Sequence, residues 1–320
     1  MDTEKLQQNQ ADLAVNEVNN QDNLVPISSE DILPLPLPAL MKLYEVQFTG
    51  AEPEEDYLLM DKPIEEWPKF NGYTTVPEGM FPVIRVDGHC FHTFTRSLEK
   101  PFDRNMTEAM LNAASELVKF FHASFAYTQS DEITVVLPKE DTQFSRKTHK
   151  MASLAASVAT VAFVDTMRNL GANMRSTPAF DGRAFAIPDE RNLGLYLKWR
   201  ERDAYRNAIS AIARSTFSHK QLLNKNTDMK IAMLAEKGVN VFTTYPDWLL
   251  HGDYVKRMVR KITISDEELK KLPEKHQARQ NPEKATFYRS YIGRVEVKHP
   301  IAESVEMLLR KEAPVEEQPS

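Results

Sequence analysis

The chain has 320 residues and a formal net charge of −6 at pH 7. This length suits one large domain or two modest ones. The negative charge argues against a nucleic-acid-binding protein that is basic over its whole surface, so RNA contacts would need local basic surfaces. The single cysteine excludes an intramolecular disulfide and a cysteine-rich zinc site, and it fits a reducing cytoplasm. We find no signal peptide and no run near the roughly 20 apolar residues of a membrane helix, so we expect a cytoplasmic protein without membrane contact.

The N-terminal part of the chain is predicted not to fold alone. Residues 1 to about 30 are polar, and prolines alternate with apolar residues from Ile32 to Pro38, which disfavours helix. We therefore interpret residues 1–38 as a disordered tail. Residues 39–80 contain a short amphipathic piece and an acidic, proline-containing connection, which we expect to pack against the core.

Two short acidic segments predict a site. The run from Val83 to Val86 leads into Asp87-Gly88, as expected for a buried strand that ends in a carboxylate and a sharp turn. Residues 126–137 predict a hairpin with Asp131 and Glu132 at its turn. If the two strands are neighbours, Asp87 and Asp131 converge, and carboxylates that close repel each other unless a divalent cation bridges them. Magnesium, held by carboxylates and substrate phosphates, is the usual reason for such an arrangement.

The rest of the chain is predicted to alternate helices and strands. Asp103 and Asp189 are expected to cap helices, because apolar residues recur at helical spacing after each of them. The predicted elements are a strand at 82–87, a helix after Asp103, a helix at 142–167, a strand at 180–187, a helix at about 189–215, a helix near 227–237, and strand-like runs at 254–261 and 287–297. Residues 264–284 are predicted to be loop-prone.

Two helices of this acidic protein carry local positive charge. Basic residues at a helix start oppose the macrodipole, so we expect those that begin the 142–167 helix to be kept for a partner, with a solvated helix face as the alternative. They are Arg146, Lys147, His149 and Lys150. The helix at 189–215 carries an excess of positive over negative side chains, which raises an RNA contact as an alternative to a solvated face.

Six short motifs stand in one collinear order over residues 81–261. They are Arg85-Val86-Asp87-Gly88 with Phe91-His92, Glu99-Lys100-Pro101-Phe102-Asp103, Ala126-Tyr127-Thr128-Gln129-Ser130-Asp131-Glu132, Trp199-Arg200-Glu201-Arg202-Asp203 with Arg206-Asn207, Phe217-Ser218-His219-Lys220, and Gly252 with Tyr254-Val255-Lys256-Arg257. In these motifs the chain resembles the tRNA-His guanylyltransferases and their bacterial-type relatives, which polymerise in the 3′-to-5′ direction.

The resemblance implies an α/β (α+β) fold with a palm-like antiparallel sheet and packed helices, as in polymerases and nucleotide cyclases, plus a helical C-terminal part. We expect a catalytic domain with an RNA-contacting helical part at 39–264 and a C-terminal extension with a frayed acidic end at 265–320. The family resemblance also implies a homotetramer.

The resemblance further implies site residues and substrates. The metal site for two magnesium ions would comprise Asp87, the backbone carbonyl of Gly88, and Asp131, with Glu132 as a further catalytic residue. The nucleotide-binding residues would be Asp87, Gly88, His89, Cys90, Phe91, His92, Lys100, Ser130 and Asp131. Exposed backbone amides after Asp87 and the Lys100 side chain would neutralise phosphate charge. The RNA-binding residues would be Lys198, Arg200, Arg202, Arg206, Asn207 and Lys220. A zinc site at His89, Cys90 and His92 is disfavoured, because no second ligand pair lies at finger spacing.

The implied reaction has two steps. A nucleoside triphosphate, GTP or ATP, activates an RNA 5′-phosphate, and the 3′-hydroxyl of an incoming GTP or other triphosphate attacks the activated end. Arg206-Asn207-Ala208-Ile209 stands where eukaryotic members carry His-Ile-Asn-Asn, a sequence linked to tRNA recognition. We therefore predict repair of truncated tRNA 5′ ends. The alternatives are a strict tRNA-His guanylyltransferase, a palm-fold nucleotide cyclase and a non-catalytic RNA-binding relative.

Overall fold

The computed structural model describes residues 73–172, 174–295, 297 and 305–310. All of them belong to one structural unit, residues 56–320. The predicted tail at 1–38 and most of the amphipathic piece and connection at 39–80 lie outside the described residues, as does most of the predicted acidic C-terminal end.

Six antiparallel strands form a single sheet, in the order β4-β1-β3-β2-β5-β6. The strands are β1 (Phe81–Gly88), β2 (Phe125–Gln129), β3 (Glu132–Val136), β4 (Phe180–Ile187), β5 (Asp253–Thr263) and β6 (Thr286–Val295). The predicted fold class, a palm-like antiparallel sheet with packed helices, is confirmed. Strand β6 lies inside the predicted extension and completes the sheet by pairing with β5. The domain boundaries themselves stay a prediction.

Helices pack on both faces of this sheet. The longer ones are α2 (Arg104–Phe120), α3 (Thr148–Asn169), α4 (Glu190–Thr216) and α6 (Thr227–Glu236). The short ones are α1 (Phe91–Phe94), α5 (His219–Leu222), α7 (Val241–Thr244), α8 (Asp247–His251), α9 (Asp266–Lys271), α10 (Gln277–Gln280) and α11 (Val305–Leu309). Three 3₁₀ turns, Thr95–Ser97, Gln143–Arg146 and Pro282–Ala285, complete the described elements.

The alternation of side chains along β1 divides the core in two. Ile84 and Val86 point to one face of the sheet, where they belong to the core packed with α2 and α3. Phe81 and Val83 point to the other face, where they pack with residues of α4 and α11. Because both faces are covered, β1 is apolar over most of its length and shows no polar alternation until Arg85 and Asp87 near its end.

Local sequence signals account for the helix starts. The Asp103 side chain accepts a hydrogen bond from the Met106 amide at 2.9 Å, and the Asp189 side chain accepts one from the Asn192 amide at 2.7 Å. Both predicted caps are confirmed, because each aspartate satisfies an amide of the first turn that has no partner within the helix.

The predicted helix at 142–167 begins at Thr148, six residues later than expected. Phe144, Ser145 and Arg146 before it have φ values of 54°, 52° and 57°, which a helix does not allow. The Arg146 guanidinium is buried and donates hydrogen bonds to the backbone carbonyls of Val76, Pro77, Met80, Lys139 and Asp141. The expectation that Arg146 is kept for a partner is therefore wrong, whereas Lys147, His149 and Lys150 are exposed.

Helix α3 corrects one expectation about composition. By its 22-residue length and a mean hydropathy of 1.2 it is apolar enough to cross a membrane, although we expected no such segment. Met151, Ala155, Phe163 and Met167 are fully buried in the core that α3 shares with α2 and the sheet. A core helix passes the same test, so this finding by itself indicates no membrane contact.

Candidate active site

The tight turn between β2 and β3 brings the two predicted acidic segments together. Ser130 has a φ of 55°, and the Gly88 amide at the end of β1 donates a hydrogen bond to the Asp131 carbonyl at 2.9 Å. In the sheet register Asp87 lies directly opposite Glu132. The predicted convergence of Asp87 and Asp131 is confirmed by this pairing.

Burial and a neighbouring negative charge perturb the carboxyl of Asp131. Burial raises the pKa of the Asp131 carboxyl above 3.8, the negative charge of Asp87 raises the pKa further, and Arg85 and a hydrogen bond from Ser130 partly oppose the rise. A divalent cation would relieve both the desolvation and the repulsion, because it stabilises the ionised carboxylates.

The available donors fit magnesium. Among the residues that the structure describes, no group of three or more His, Cys, Asp or Glu side chains is placed to hold a metal. The protein can therefore offer the carboxylates of Asp87 and Asp131 with backbone oxygen, and the remaining positions fall to water and substrate phosphates. Magnesium prefers this oxygen set and retains several waters, whereas zinc would require nitrogen or sulfur ligands.

Arg85 and Arg200 enclose the carboxylate of Glu132. Arg85 Nε lies 2.9 Å from Glu132 Oε2, and Arg200 Nε lies 3.1 Å from Glu132 Oε1. These are ion pairs without the alignment of a hydrogen bond, since neither Nε–H points at its acceptor. Arg85 Nη2 also donates to Asp87 Oδ2 at 2.5 Å, and Arg200 Nη2 donates to Asp203 Oδ2 at 2.8 Å. Both oxygens of Glu132 are thus occupied by arginine.

An open cleft of about 860 Å³ lies at this end of the sheet. The predicted site residues that line it are Asp87, Lys100, Ser130, Asp131, Glu132, Arg200, Arg206 and Asn207. Lys100 Nζ donates to the Thr95 carbonyl at 2.7 Å. Burial lowers the pKa of Lys100, and the nearby Arg214, which also lines the cleft, lowers that pKa further. Cationic side chains and the two aspartates therefore face the same space.

The segment that follows Asp87 is less open than the sequence suggested. The amides of Gly88 and His89 donate to the carbonyls of Asp131 and Ala179, at 2.9 and 2.8 Å. These two amides are therefore not available to bind phosphate, although we expected them to be. The Phe91 side chain is buried and packs against other aromatic rings in the core, with the Phe180 ring centroid 5.0 Å away. Gly88 allows this packing, because a Cβ at that position would lie 2.4 Å from the Phe91 ring.

None of residues 88–92 lines the cleft, and His89, Cys90 and His92 are exposed. Nucleotide binding by the side chains of His89, Cys90 and His92 stays a prediction.

The basic residues of α4 do not form one exposed stripe. Lys198 and Arg200 are each 4% exposed, so neither lies on a solvated RNA-contacting face, and that prediction is wrong for both. Arg206 and Asn207 line the cleft, and the Arg206 side chain is 43% exposed, whereas Lys220 is exposed outside the cleft. RNA contact by Arg202, Arg206, Asn207 and Lys220 stays a prediction.

Sequence reasoning missed the aromatic wall of the cleft. The Phe102 and Trp248 rings meet edge to face, with centroids 5.3 Å apart, and both line the cleft. Trp248 belongs to α8, a five-residue helix too short to show hydrophobic periodicity. Trp199 is 4% exposed and borders the cleft as well. The one available signal for this wall was that Phe102 directly follows Lys100-Pro101.

Comparisons with known proteins agree on one family. The family model described as tRNAHis guanylyltransferase matches residues 64–188. The probable tRNA(His) guanylyltransferase of Drosophila melanogaster is 34% identical over 57% of this chain and 65% of its own length. The tRNA(His) guanylyltransferase of Saccharomyces cerevisiae is 28% identical over 59% of this chain and 87% of its own length. The chain thus spans slightly less than two thirds of the fly protein.

Solved structures extend the comparison. A bacterial tRNA(His) guanylyltransferase (Thg1)-like protein in complex with ATP is 30% identical, with a TM-score of 0.53 over 69% of this chain and 87% of that one. A bacterial protein of the same description in complex with GTP is 25% identical, with a TM-score of 0.52 over 73% of this chain and 89% of that one.

Proposed function

Because the chain belongs to the tRNA(His) guanylyltransferase family, whose named members are nucleotidyltransferases, we propose that it adds nucleotides to the 5′ end of tRNA in the 3′-to-5′ direction. One observation carries the proposal for this chain. The convergent carboxylates of Asp87 and Asp131 share a cleft with Lys100 and Arg206, so a metal site and phosphate-binding cations lie together. Phosphoryl transfer depends on that combination, since it needs positioning and charge stabilisation more than covalent chemistry.

The proposed nucleotide substrates are ATP and GTP. Bacterial relatives of known structure are in complex with one or the other. Lys100 offers a point charge to the triphosphate, and Arg206 and Arg214 offer planar guanidinium groups that can fork onto phosphate oxygens. The apolar wall of Phe102 and Trp248 gives a nucleobase a surface that does not read its hydrogen-bonding edge.

Magnesium is the proposed cofactor, with Asp87, Asp131 and backbone oxygen of Gly88 as its ligands. When bound, two such ions supply charge stabilisation for the attacking and leaving oxygens of a displacement at phosphorus. The residues of the chain do the rest. The ionised carboxylates of Asp87 and Asp131 would hold the cations, and Arg85 balances part of their negative charge. Lys100 and Arg206 neutralise the phosphates of nucleotide and RNA.

The proposed chemistry has two displacements in the same cleft. The RNA 5′-phosphate attacks the α-phosphorus of a triphosphate, a P–O bond forms, and pyrophosphate leaves. The 3′-hydroxyl of the incoming nucleotide then attacks the activated 5′-phosphate, loses its proton, and displaces the nucleoside monophosphate. We propose that Arg206, a partly exposed residue of the cleft lining, binds the tRNA backbone independently of sequence, which favours template-directed repair of truncated 5′ ends.

A competition experiment tests this specificity. Truncated tRNAs of several identities and full-length tRNA-His are mixed with all four nucleotides, and 5′ additions are counted for each RNA. We expect truncated tRNAs to be extended according to the base opposite, and a matched tRNA with that base changed to receive the complementary nucleotide. Selectivity for the tRNA-His anticodon, or guanosine addition whatever base lies opposite, would support the strict guanylyltransferase. A cyclic product from labelled GTP without tRNA would support the cyclase.

We also propose a homotetramer, on the family resemblance alone, and a cytoplasmic location, on the single cysteine of the chain. Light scattering of the purified chain measures its assembly state, and a monomer at micromolar concentration would contradict the tetramer.

A further inference from the structure

Six charged side chains of alternating sign form a continuous chain of ion pairs along the cleft, which we call the charge chain. In order these are Asp87, Arg85, Glu132, Arg200, Asp203 and Arg206. The final pair is the loosest, with 3.6 Å between Arg206 Nη2 and Asp203 Oδ1. The charge chain therefore links the carboxylate at the end of β1 to the partly exposed Arg206 of α4, which also lines the cleft.

The centre of the charge chain is buried and its ends are open. The side chains of Arg85, Glu132 and Arg200 are 10%, 17% and 5% exposed, whereas that of Asp87 is 33% exposed and that of Arg206 is 43% exposed. Burying charges is costly, and apolar residues of similar size would serve stability at least as well. Stability alone therefore does not explain the buried residues at the centre. Their effect on the position of the exposed side chains at the two ends is the better explanation.

The Glu132 carboxylate lies between two arginines and pairs with both. Arginine tends to bind a carboxylate with two parallel hydrogen bonds. If Glu132 did not hold the Nε side of Arg85, the Arg85 guanidinium would be free to cover both oxygens of Asp87. A magnesium ion and the guanidinium would then compete for the same oxygens. Arg200 in turn holds the second oxygen of Glu132, and its guanidinium is fixed by Asp203 and by the Trp199 ring, 4.3 Å away.

We propose that Glu132 and Arg200 are positioning residues that keep Arg85 on one oxygen of Asp87 and leave the other oxygen for a cation. The inference rests on the proposed function, since it concerns the metal of that reaction. Glu132 touches neither cation nor substrate in this arrangement, which differs from the catalytic role that the family resemblance implies. Glu132 and Arg200 then affect chemistry only through Arg85 and Asp87.

Cation binding to the protein alone tests the proposal. Mn²⁺ is titrated into the full chain and free Mn²⁺ is followed by electron paramagnetic resonance, for the parent, Glu132→Gln, Arg200→Met, the double variant and Asp131→Asn. We expect Glu132→Gln to weaken Mn²⁺ binding by about tenfold and to lower kcat for nucleotide addition, with the KM for the triphosphate little changed. The matched control is Glu190→Gln, which removes a carboxylate from the ion pair with Lys139, outside the cleft.

Arg200→Met separates positioning from simple charge. Removing a positive charge near a cation site tightens binding if only charge matters. Positioning predicts the opposite sign, because Glu132 loses one of its two arginines and its hold on Arg85 loosens. The double variant should bind Mn²⁺ no more weakly than the weaker single variant, since both residues act through one contact.

Three outcomes would overturn the proposal: tighter Mn²⁺ binding by Arg200→Met, parent-like binding by Glu132→Gln, or a loss in Glu132→Gln as complete as in Asp131→Asn, which would make Glu132 a ligand. Circular dichroism checks the fold of each variant, and Arg200→Lys, which keeps the charge but cannot span Glu132 and Asp203, replaces any variant that fails to fold. Absence of nucleotide addition by the parent would refute the proposed function, while the Mn²⁺ titration would still decide the role of Glu132.

Discussion

Replacement of Asp131 by asparagine should remove activity and yet stabilise the protein in metal-free buffer. Burial and the charge of Asp87 raise the pKa of the Asp131 carboxyl, so the folded state holds this proton more strongly than the unfolded chain, whose carboxyl has a pKa of 3.8. Below pH 3.8 both states are protonated and the carboxyl costs nothing. As the pH rises towards the folded-state pKa the cost grows, and above that pKa it is constant, including at pH 7.

The size of this cost follows from linkage. Each unit by which the fold raises the pKa corresponds to about 1.4 kcal/mol of lost stability at neutral pH. A change of about 1 kcal/mol moves the melting temperature of a domain of this size by roughly 2–4 °C. Magnesium acts in the opposite sense on the parent, because an ion at 100 times its Kd stabilises the folded state by about 2.7 kcal/mol. Asp131→Asn should therefore melt higher than the parent in EDTA and lower than the parent in excess magnesium.

Thermal unfolding of both proteins, with and without magnesium at pH 7, measures this crossover. The control is Asp165→Asn, which removes an exposed carboxylate 3.9 Å from Arg168 and should change stability by less than about 0.5 kcal/mol in either buffer. A repeat near pH 4 should shrink the metal-free difference, since the cost of the raised pKa falls as the pH falls towards 3.8. Carboxylate repulsion would be the wrong explanation if Asp131→Asn melts below the parent in EDTA. It would also be wrong if magnesium raises the melting temperature of Asp131→Asn as much as that of the parent.

Three further predictions concern single side chains. Arg146→Met leaves several buried carbonyls without a donor and should lower the free energy of unfolding by about 3–5 kcal/mol in urea titrations, and a loss below about 1 kcal/mol would contradict its structural role. Lys100→Ala should raise the KM for GTP more than it weakens RNA binding, and an unchanged KM at all salt concentrations would indicate an ordinary surface lysine. Lys256→Met removes two hydrogen bonds to carbonyls of residues 305–310 and should speed hydrogen exchange there, whereas unchanged exchange would show that apolar packing suffices.

The sequence predicted those features that depend on neighbours along the chain. The caps at Asp103 and Asp189 and the bounds of β4 depend on short-range hydrogen bonds and on turn residues such as Pro188, and the structure confirms them. The convergence of Asp87 and Asp131 was predicted only on the condition that the two strands are neighbours, and the pairing of β1 with β3 meets that condition.

Features that depend on distant partners were not predictable. Arg146 is buried because it donates to carbonyls as far away in sequence as Val76, and no local pattern shows this. Arg200 was interpreted as one of several exposed basic residues of α4. Helical periodicity gives the direction of its side chain, but it does not show that a carboxylate from another element, Glu132, lies there to pair with it. The amides of Gly88 and His89 were expected to be open because their acceptors, the carbonyls of Asp131 in a turn and of Ala179 just before β4, are distant in sequence.

The charge of the cleft connects the proposed cations to the proposed substrates. Five basic and seven acidic side chains line it, a formal balance of −2. A space of that sign repels a triphosphate and an RNA 5′ end, even though Lys100, Arg206 and Arg214 are present. Two divalent cations at Asp87 and Asp131 would reverse the sign, and the phosphates would then enter a positive cleft. The acidic site is in this view what makes substrate binding conditional on magnesium, and the basic residues direct the phosphates once the sign has changed.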